Sequence, residues 1–156
     1  MKVLQINTVS GFGSTGRTCS EISEALREQG HQAYIAYGQR TSLLNGRSFK
    51  IGTKLENHYH NVYSRIWGKQ GYQTKNGTKK LINYIESINP DVIHLDNLHG
   101  NYLNLEILFN YLAKADKPVF WTLHDCWAFT GKCSHYTDVG CYKWQTHCNH
   151  CPQVKK

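Results

Sequence analysis

Apolar positions along this chain fall into two alternating rhythms, and the alternation predicts the fold. Residues 2–8 (KVLQINT) alternate Val3, Gln5 and Asn7 with Leu4 and Ile6, which suits a first strand. A glycine-dotted loop (VSGFGSTG) follows, and then Cys19, Ile22 and Leu26 recur at helical spacing with Ala25 beside them. Thr18 and Glu21 have the spacing of a capping box, and Gly30 is placed to stop that helix. His31–Tyr37 reads as the second strand, and a short third strand fits near Phe49–Ile51.

The second half repeats the rhythm. Leu55, Tyr59, Val62, Tyr63, Ile66 and Trp67 form one helical stripe. Flanked by Lys, Arg and His, such a stripe suits either the core or a membrane interface, and the core is the expectation taken here. After a linker-like stretch at Gly68–Gly77, Thr78 is placed to cap a helix carrying Leu81, Ile82, Ile85 and Ile88, which Asn89-Pro90 ends. Asp91–Asp96 is a strand and Asn97–Asn101 a loop with His99. Leu105, Leu108 and Leu112 mark a further helix, and Val119–Leu123 reads as a buried strand. Strands alternating with helices predict an α/β, Rossmann-like parallel sheet with helices on both faces. The expected organisation is one domain over 1–131 with a Cys-rich extension over 132–156.

Charge sharpens this picture. Between Gln39 and Lys80 there are nine Lys or Arg against one acid, Glu56, in a chain of formal net charge +7. That stretch suits an anionic partner (phosphate, membrane surface or nucleic acid) or simply a solvated basic face. The amino terminus is too short and polar in its apolar run for a signal peptide, so a cytoplasmic location with reduced thiols is expected. Cys133, Cys141, Cys148 and Cys151 then supply four thiols, with one C-x-x-C pair. Structural zinc, disulfides and free thiols all remain open, with His135, His147 and His150 as substitute ligands. Cys19 and Cys126 read as buried small hydrophobes, and His94 as a packing residue.

Gly11-Phe-Gly-Ser-Thr-Gly16 is a literal G-x-G-x-x-G between strand and helix. Two details count against a nicotinamide cofactor: Asn7–Ser10 separate the apolar strand from the first glycine, and no acid closes the second strand at Tyr37-Gly-Gln-Arg40. Arg40 keeps an NADP-binding alternative open. The broader reading is small residues at a helix amino terminus that let backbone N–H groups approach a phosphate, and the plainest is a turn. His124 and Asp125 end the last strand, at the rim where open parallel sheets bind ligands, and His99 belongs to the same rim. A zinc-dependent nucleic-acid module is a third alternative. The cysteines do not frame a short reading helix, so no nucleic acid is expected.

GSTGRT at Gly13–Thr18, PDVIHLDNLHG at Pro90–Gly100 and WTLHDCWAFTGKC at Trp121–Cys133, with the C…C..CP pattern after it, together resemble bacterial glycosyltransferases. These are the two-domain (GT-B), retaining, nucleotide-sugar-dependent enzymes of surface polysaccharide synthesis, those of colanic acid type included. The resemblance implies that this chain is the acceptor-side, amino-terminal half, with the donor-binding carboxy-terminal domain missing. It implies that Gly13, Ser14, Gly16 and Arg17 face the cleft near the donor diphosphate, and that His124 with Asp125 lies near the reacting sugar. The implied partner is a saccharide or lipid-linked saccharide acceptor, met by peripheral association at the inner face of the cell membrane. Asp96 stands where close relatives are expected to carry histidine, so it receives no ligand role. One wall of a cleft cannot by itself orient two substrates and exclude water, so weak binding without turnover is expected of this chain alone.

Overall fold

A computed structural model describes residues 1–42, 47–130 and 132–153, and in it the chain forms two compact units, Met1–Thr122 and Leu123–Lys156. The first unit is built on five strands: β1 (Lys2–Ser10), β2 (Gln32–Thr41), β3 (Ser48–Lys50), β4 (Val92–Leu95) and β5 (Val119–Trp121). They lie in the order β3-β2-β1-β4-β5, and every neighbouring pair is parallel. Helices α1 (Gly13–Glu28), α2 (Lys54–Trp67), α3 (Lys75–Ile88) and α4 (Leu105–Leu112) alternate with them. This is the α/β, Rossmann-like parallel sheet that the alternating pattern predicts.

β1 is the spine. Val3, Leu4, Gln5, Ile6 and Asn7 are all buried in succession. Successive side chains of a strand point to opposite faces, so the sheet is covered on both sides at its centre. Gln5 is completely buried in that run. Its amide donates to the Cys19 carbonyl at 3.1 Å, and its side-chain oxygen accepts from the Cys19 thiol and the Ser23 hydroxyl at 3.2 Å each. Cys19 is therefore buried as expected, but it is hydrogen-bonded as well.

Several boundaries differ from the sequence expectation. β1 continues to Ser10, because Val9 and Ser10 pair with Arg40 and Thr41 of a correspondingly longer β2, past a register shift after Asn7. The helix that Thr18 was expected to cap begins instead at Gly13. Thr18 lies inside it and donates back to the Ser14 carbonyl. At its far end Gly30 adopts φ 79 and donates to the Arg27 carbonyl, the expected stop. Thr78 is likewise inside α3, which starts after Thr74. Its hydroxyl donates to the Thr74 carbonyl and accepts from the Asn104 amide.

The α2 stripe is not core. Leu55, Tyr59, Val62, Ile66 and Trp67 are exposed, and the one buried residue of the helix is His60. The inward side is closed by polar groups. Asn57 donates to the Gly38 carbonyl, and His60 bridges Thr74 and the Gly71 amide. The capping box expected in α1 occurs here, between Thr53 and Glu56.

β5 is not a buried strand either. It is the last strand of the sheet order, with β4 as its neighbour, and Val119, Phe120 and Trp121 are all exposed. Trp121 leans on Phe109 of α4 at 5.6 Å, and its indole N–H donates to the Asp96 carbonyl.

The second unit, described over 123–130 and 132–153, has a short helix α5 (Trp127–Thr130) and 3-10 turns at Tyr136–Val139 and Lys143–Gln145. Rings hold it together: Trp144 meets Phe129 at 5.0 Å and Tyr136 at 5.3 Å, and Tyr136 meets Tyr142 at 5.5 Å. Cys126 is half-buried, short of the full burial expected.

Candidate functional site

The sheet order reverses direction between β1 and β4, and ligands of open α/β sheets bind in the crevice beyond the strand ends at such a point. β1 leads there into the glycine turn, and β4 leads into the His99 loop. Asn7 joins the two. Its side-chain oxygen accepts from the Thr8 amide at 2.8 Å and the Asn97 amide at 3.3 Å, while its NH2 donates to the Thr15 carbonyl at 3.2 Å.

The glycine turn is tight because β1 runs directly into it. Gly11 has φ 73 and donates to the Gly16 carbonyl at 2.9 Å. A Cβ on Gly11 would fall 1.7 Å from the Ser42 hydroxyl oxygen, so only glycine fits. A Cβ on Gly16 would press on Val9 at 3.0 Å and on the Gly11 nitrogen at 3.2 Å, which is how α1 comes so close to the strand end. On Gly13 it would meet nothing within 4 Å, so the backbone there borders open space.

No side chain caps the start of α1, and its first turn carries no acid. The first N–H groups of that helix, with the positive end of its dipole, are thus presented to whatever occupies the crevice. Ser10 is fully buried beside them, and its hydroxyl has no hydrogen-bond partner among the described residues. Arg17 is exposed and folds back to donate from Nε to the Gly13 carbonyl at 3.3 Å. The arrangement suits an anion such as a phosphate.

The loop after β4 is fixed on several sides. The Thr8 hydroxyl lies within hydrogen-bonding reach of the Asn97 and His99 carbonyls, and its single proton serves one at a time. Gln39 donates to the Gly100 carbonyl at 2.7 Å. Tyr102, fully buried, donates to the Asn97 carbonyl at 2.8 Å, and burial pushes its phenol well above the usual range. His99 is half-buried in this loop, and its amide donates to the Asn97 side chain at 3.3 Å.

Of the residues singled out in the sequence, Gly13, Ser14, Gly16, Arg17 and His99 thus lie at the ends of neighbouring strands, joined through Asn7. His124 and Asp125 belong to the second unit. His124 is exposed, and Asp125 accepts from the Trp127 amide at 2.9 Å at the start of α5. His94 is the packing residue expected, with Nε2 2.8 Å from the Thr122 hydroxyl and 3.8 Å from Asp96. Asn7, Thr8, Ser10 and Gln39 went unseen as site residues. A run of polar residues continuing an apolar strand was the available signal, and it reads equally well as a loop.

Cys133, Cys141, Cys148 and Cys151 line one small cavity of about 50 Å³, with Tyr136 and Trp144. All are free thiols in this structure. Among the described residues no three His, Cys, Asp or Glu side chains are grouped so as to hold a metal ion, so the zinc expectation finds no support and the thiols as placed do not fit it. The ring contacts of Phe129, Tyr136, Tyr142 and Trp144 pack this unit from within.

One objection to a dinucleotide falls, since no loop separates β1 from Gly11. The other stands, because no acid lies at the end of β2. Comparison with known proteins bears on the choice. The profile described as Glycosyltransferase Family 4 matches residues 15–154. A protein of Escherichia coli K12 named as a colanic acid biosynthesis glycosyl transferase, WcaC, is 26% identical over 166 aligned positions, covering 99% of this chain and 40% of that protein. This chain therefore spans about two fifths of the relative's length. No solved structure matches. Neither an NADP-binding protein nor a zinc-dependent nucleic-acid module gains support from these matches.

Proposed function

Because the chain belongs to glycosyltransferase family 4, we propose that it forms the acceptor-side half of a GT-B, retaining enzyme of surface polysaccharide synthesis. The donor is a nucleotide-sugar and the acceptor a saccharide or lipid-linked saccharide. In the transfer, the bond between the sugar's anomeric carbon and the donor diphosphate breaks, and a bond to an acceptor oxygen forms. The nucleoside diphosphate departs with the electron pair of the broken bond and takes up the acceptor's proton. The first turn of α1, with Gly13, Ser14, Gly16 and Arg17, faces the donor diphosphate. His124, with Asp125, hydrogen-bonds the reacting sugar, and His99 lines the cleft.

The observation that carries this reading is the uncapped start of α1 set directly on the end of β1, beside the buried Ser10 hydroxyl. That geometry favours a phosphate-bearing ligand, and family membership supports reading that ligand as a nucleotide-sugar. A single sheet supplies one wall of a two-walled cleft, so the chain alone binds weakly and does not turn over.

Two measurements test this. Fluorescence titration should show UDP or UDP-sugars binding more tightly than NADPH, and the reverse order sinks the sugar reading. Radiolabelled sugar transfer should be absent with the chain alone and present when it is joined to a donor-binding domain of a family member. In the joined protein His124→Ala should lower the rate about a hundredfold. Robust turnover by the chain alone overturns the single-wall reading.

A further inference from the structure

Four of the six cysteines meet in one place, and the sugar-transfer reading uses none of them. Cys133 follows α5, Cys141 follows the 3-10 turn at Tyr136–Val139, and Cys148 and Cys151 follow the turn at Lys143–Gln145. All four line a single cavity of about 50 Å³ with Tyr136 and Trp144, room for only a few water molecules. The other two lie elsewhere. Cys19 is buried in the first unit on Gln5, and Cys126 is half-buried and does not line the cavity.

Specific ties bring the four together. Gln153 joins the end of the unit to its middle, donating from its amide to the His135 carbonyl at 3.1 Å and accepting from the Cys133 thiol at 3.2 Å. The Cys141 amide donates to the Tyr136 carbonyl at 3.1 Å. The Lys143 ammonium donates to the Asn149 and His150 carbonyls at 3.2 and 3.3 Å, and His150 adopts φ 41. The C-x-x-C segment is thereby bent, with both of its ends on the cavity. Exposure then divides the thiols: Cys148 and Cys151 are exposed, Cys133 and Cys141 half-buried. An oxidant from solvent meets the outer pair first, and a second thiol stands close by. An oxidised thiol with such a neighbour condenses to a disulfide, whereas an isolated one goes on to higher acids.

We propose that these four cysteines form a redox site, which a hydroperoxide oxidises to intrachain disulfides starting at Cys148 and Cys151. The sulfur of one outer thiol attacks the terminal peroxide oxygen and the O–O bond breaks. The thiol's proton goes to the leaving oxygen, which departs as water or an alcohol, and a sulfenic acid remains. The second thiol's sulfur attacks the first, the S–S bond forms, and water leaves. Each pair of thiols thus gives two electrons to one hydroperoxide, and Cys133 with Cys141 consumes a second. A dithiol reverses both steps by exchange.

This inference goes beyond the sugar-transfer reading, and its test needs no sugar. The purified chain is reduced, freed of reductant in the presence of a chelator, titrated with hydrogen peroxide, then blocked with a maleimide in denaturant for mass spectrometry. The first equivalent should remove two thiols as a Cys148–Cys151 disulfide, and the second should join Cys133 to Cys141. Cys19 and Cys126 should remain alkylated, and dithiothreitol should restore every thiol. Cys151→Ser should slow the first disulfide by at least about tenfold, while dimedone labels Cys148 as its sulfenic acid. Cys126→Ser should change neither result. Serine is close to cysteine in size, so the melting curve of Cys151→Ser should match the parent. Sulfinic or sulfonic acids formed without disulfides overturn the proposal, as do disulfides between chains or pairing that draws in Cys19 or Cys126. So does a stoichiometric zinc ion held through the chelator with the four thiols shielded from peroxide.

Discussion

Nδ1 of His60 lies 2.8 Å from the Thr74 hydroxyl, and this contact holds a β-branched residue in the left-handed region, at φ 57. Such a backbone costs about 1–3 kcal/mol and persists only when its surroundings fix it. Nε2 of the same ring accepts from the Gly71 amide at 3.0 Å, so Nδ1 carries the proton and His60 is neutral. Burial lowers its pKa to about 4. Because the folded value is depressed, the unfolded chain binds more protons between pH 6.5 and 4. Stability is then full above the unfolded value and is lost as pH falls through that window, by on the order of 3 kcal/mol. Urea melts across the window should show this slope, and in His60→Ala it should flatten while stability at pH 7 falls.

Gly38 sits in β2 where a Cβ would come 2.1 Å from the Tyr102 ring. Tyr102 cannot retreat, being fully buried with its hydroxyl on Asn97. Gly38→Ala should therefore destabilise by about 3 kcal/mol, the upper end for overpacking. Tyr102→Phe keeps the ring and loses about 1 kcal/mol. Thermal or denaturant melts check both.

Asn7→Ala removes the acceptor shared by Thr8 and Asn97 and the donor to Thr15. Buried groups left unpaired cost about 1–3 kcal/mol. The loosening should centre on the two loops, seen as faster amide hydrogen exchange at residues 11–16 and 97–101. Nucleotide-sugar affinity should fall more than the melting point suggests. Uniform exchange across the sheet would instead mark Asn7 as a packing residue with no bearing on the site.

The thiols should divide by position. Cys148 and Cys151 are exposed, whereas Cys19 is buried, hydrogen-bonded to Gln5, and pushed well above the ordinary thiol range by burial first and then by the negative charge of Asp96. With a maleimide at pH 8, Cys148 and Cys151 should react at once. Cys19 should react at least about a thousandfold more slowly, through global opening. Peptide mapping by mass spectrometry distinguishes them.

Much of the sheet could be read from sequence, because parallel strands and amphipathic helices impose periods that residues must obey. What failed has definable causes. Thr18 and Thr78 looked like caps because their neighbours suited capping. In the structure Gly16 lets α1 begin earlier, and the αL backbone of Thr74 starts α3 a turn ahead. The α2 stripe was taken for core because periodicity reports which residues share a face and says nothing of which way that face points. β5 is apolar enough for a central strand, yet the order of strands, which no local window contains, puts it at the edge. At the site, the glycines and His99 carried visible signals. The ties made by Asn7, Thr8 and Gln39 depend on contacts across 61 to 90 residues of chain.

A strand wrapped in hydrocarbon on both sides faces a problem of alignment. Slid by one step against its neighbours, β1 would still bury Val3, Leu4 and Ile6, and oily contacts alone penalise that error weakly. The amide of Gln5 changes the balance. In the observed alignment three partners on α1 satisfy it, and in a shifted one it would be stranded in a dry interior. The polar residue at the centre of the sheet thus works as a key that admits one pairing and, with it, one position for everything the strand end presents.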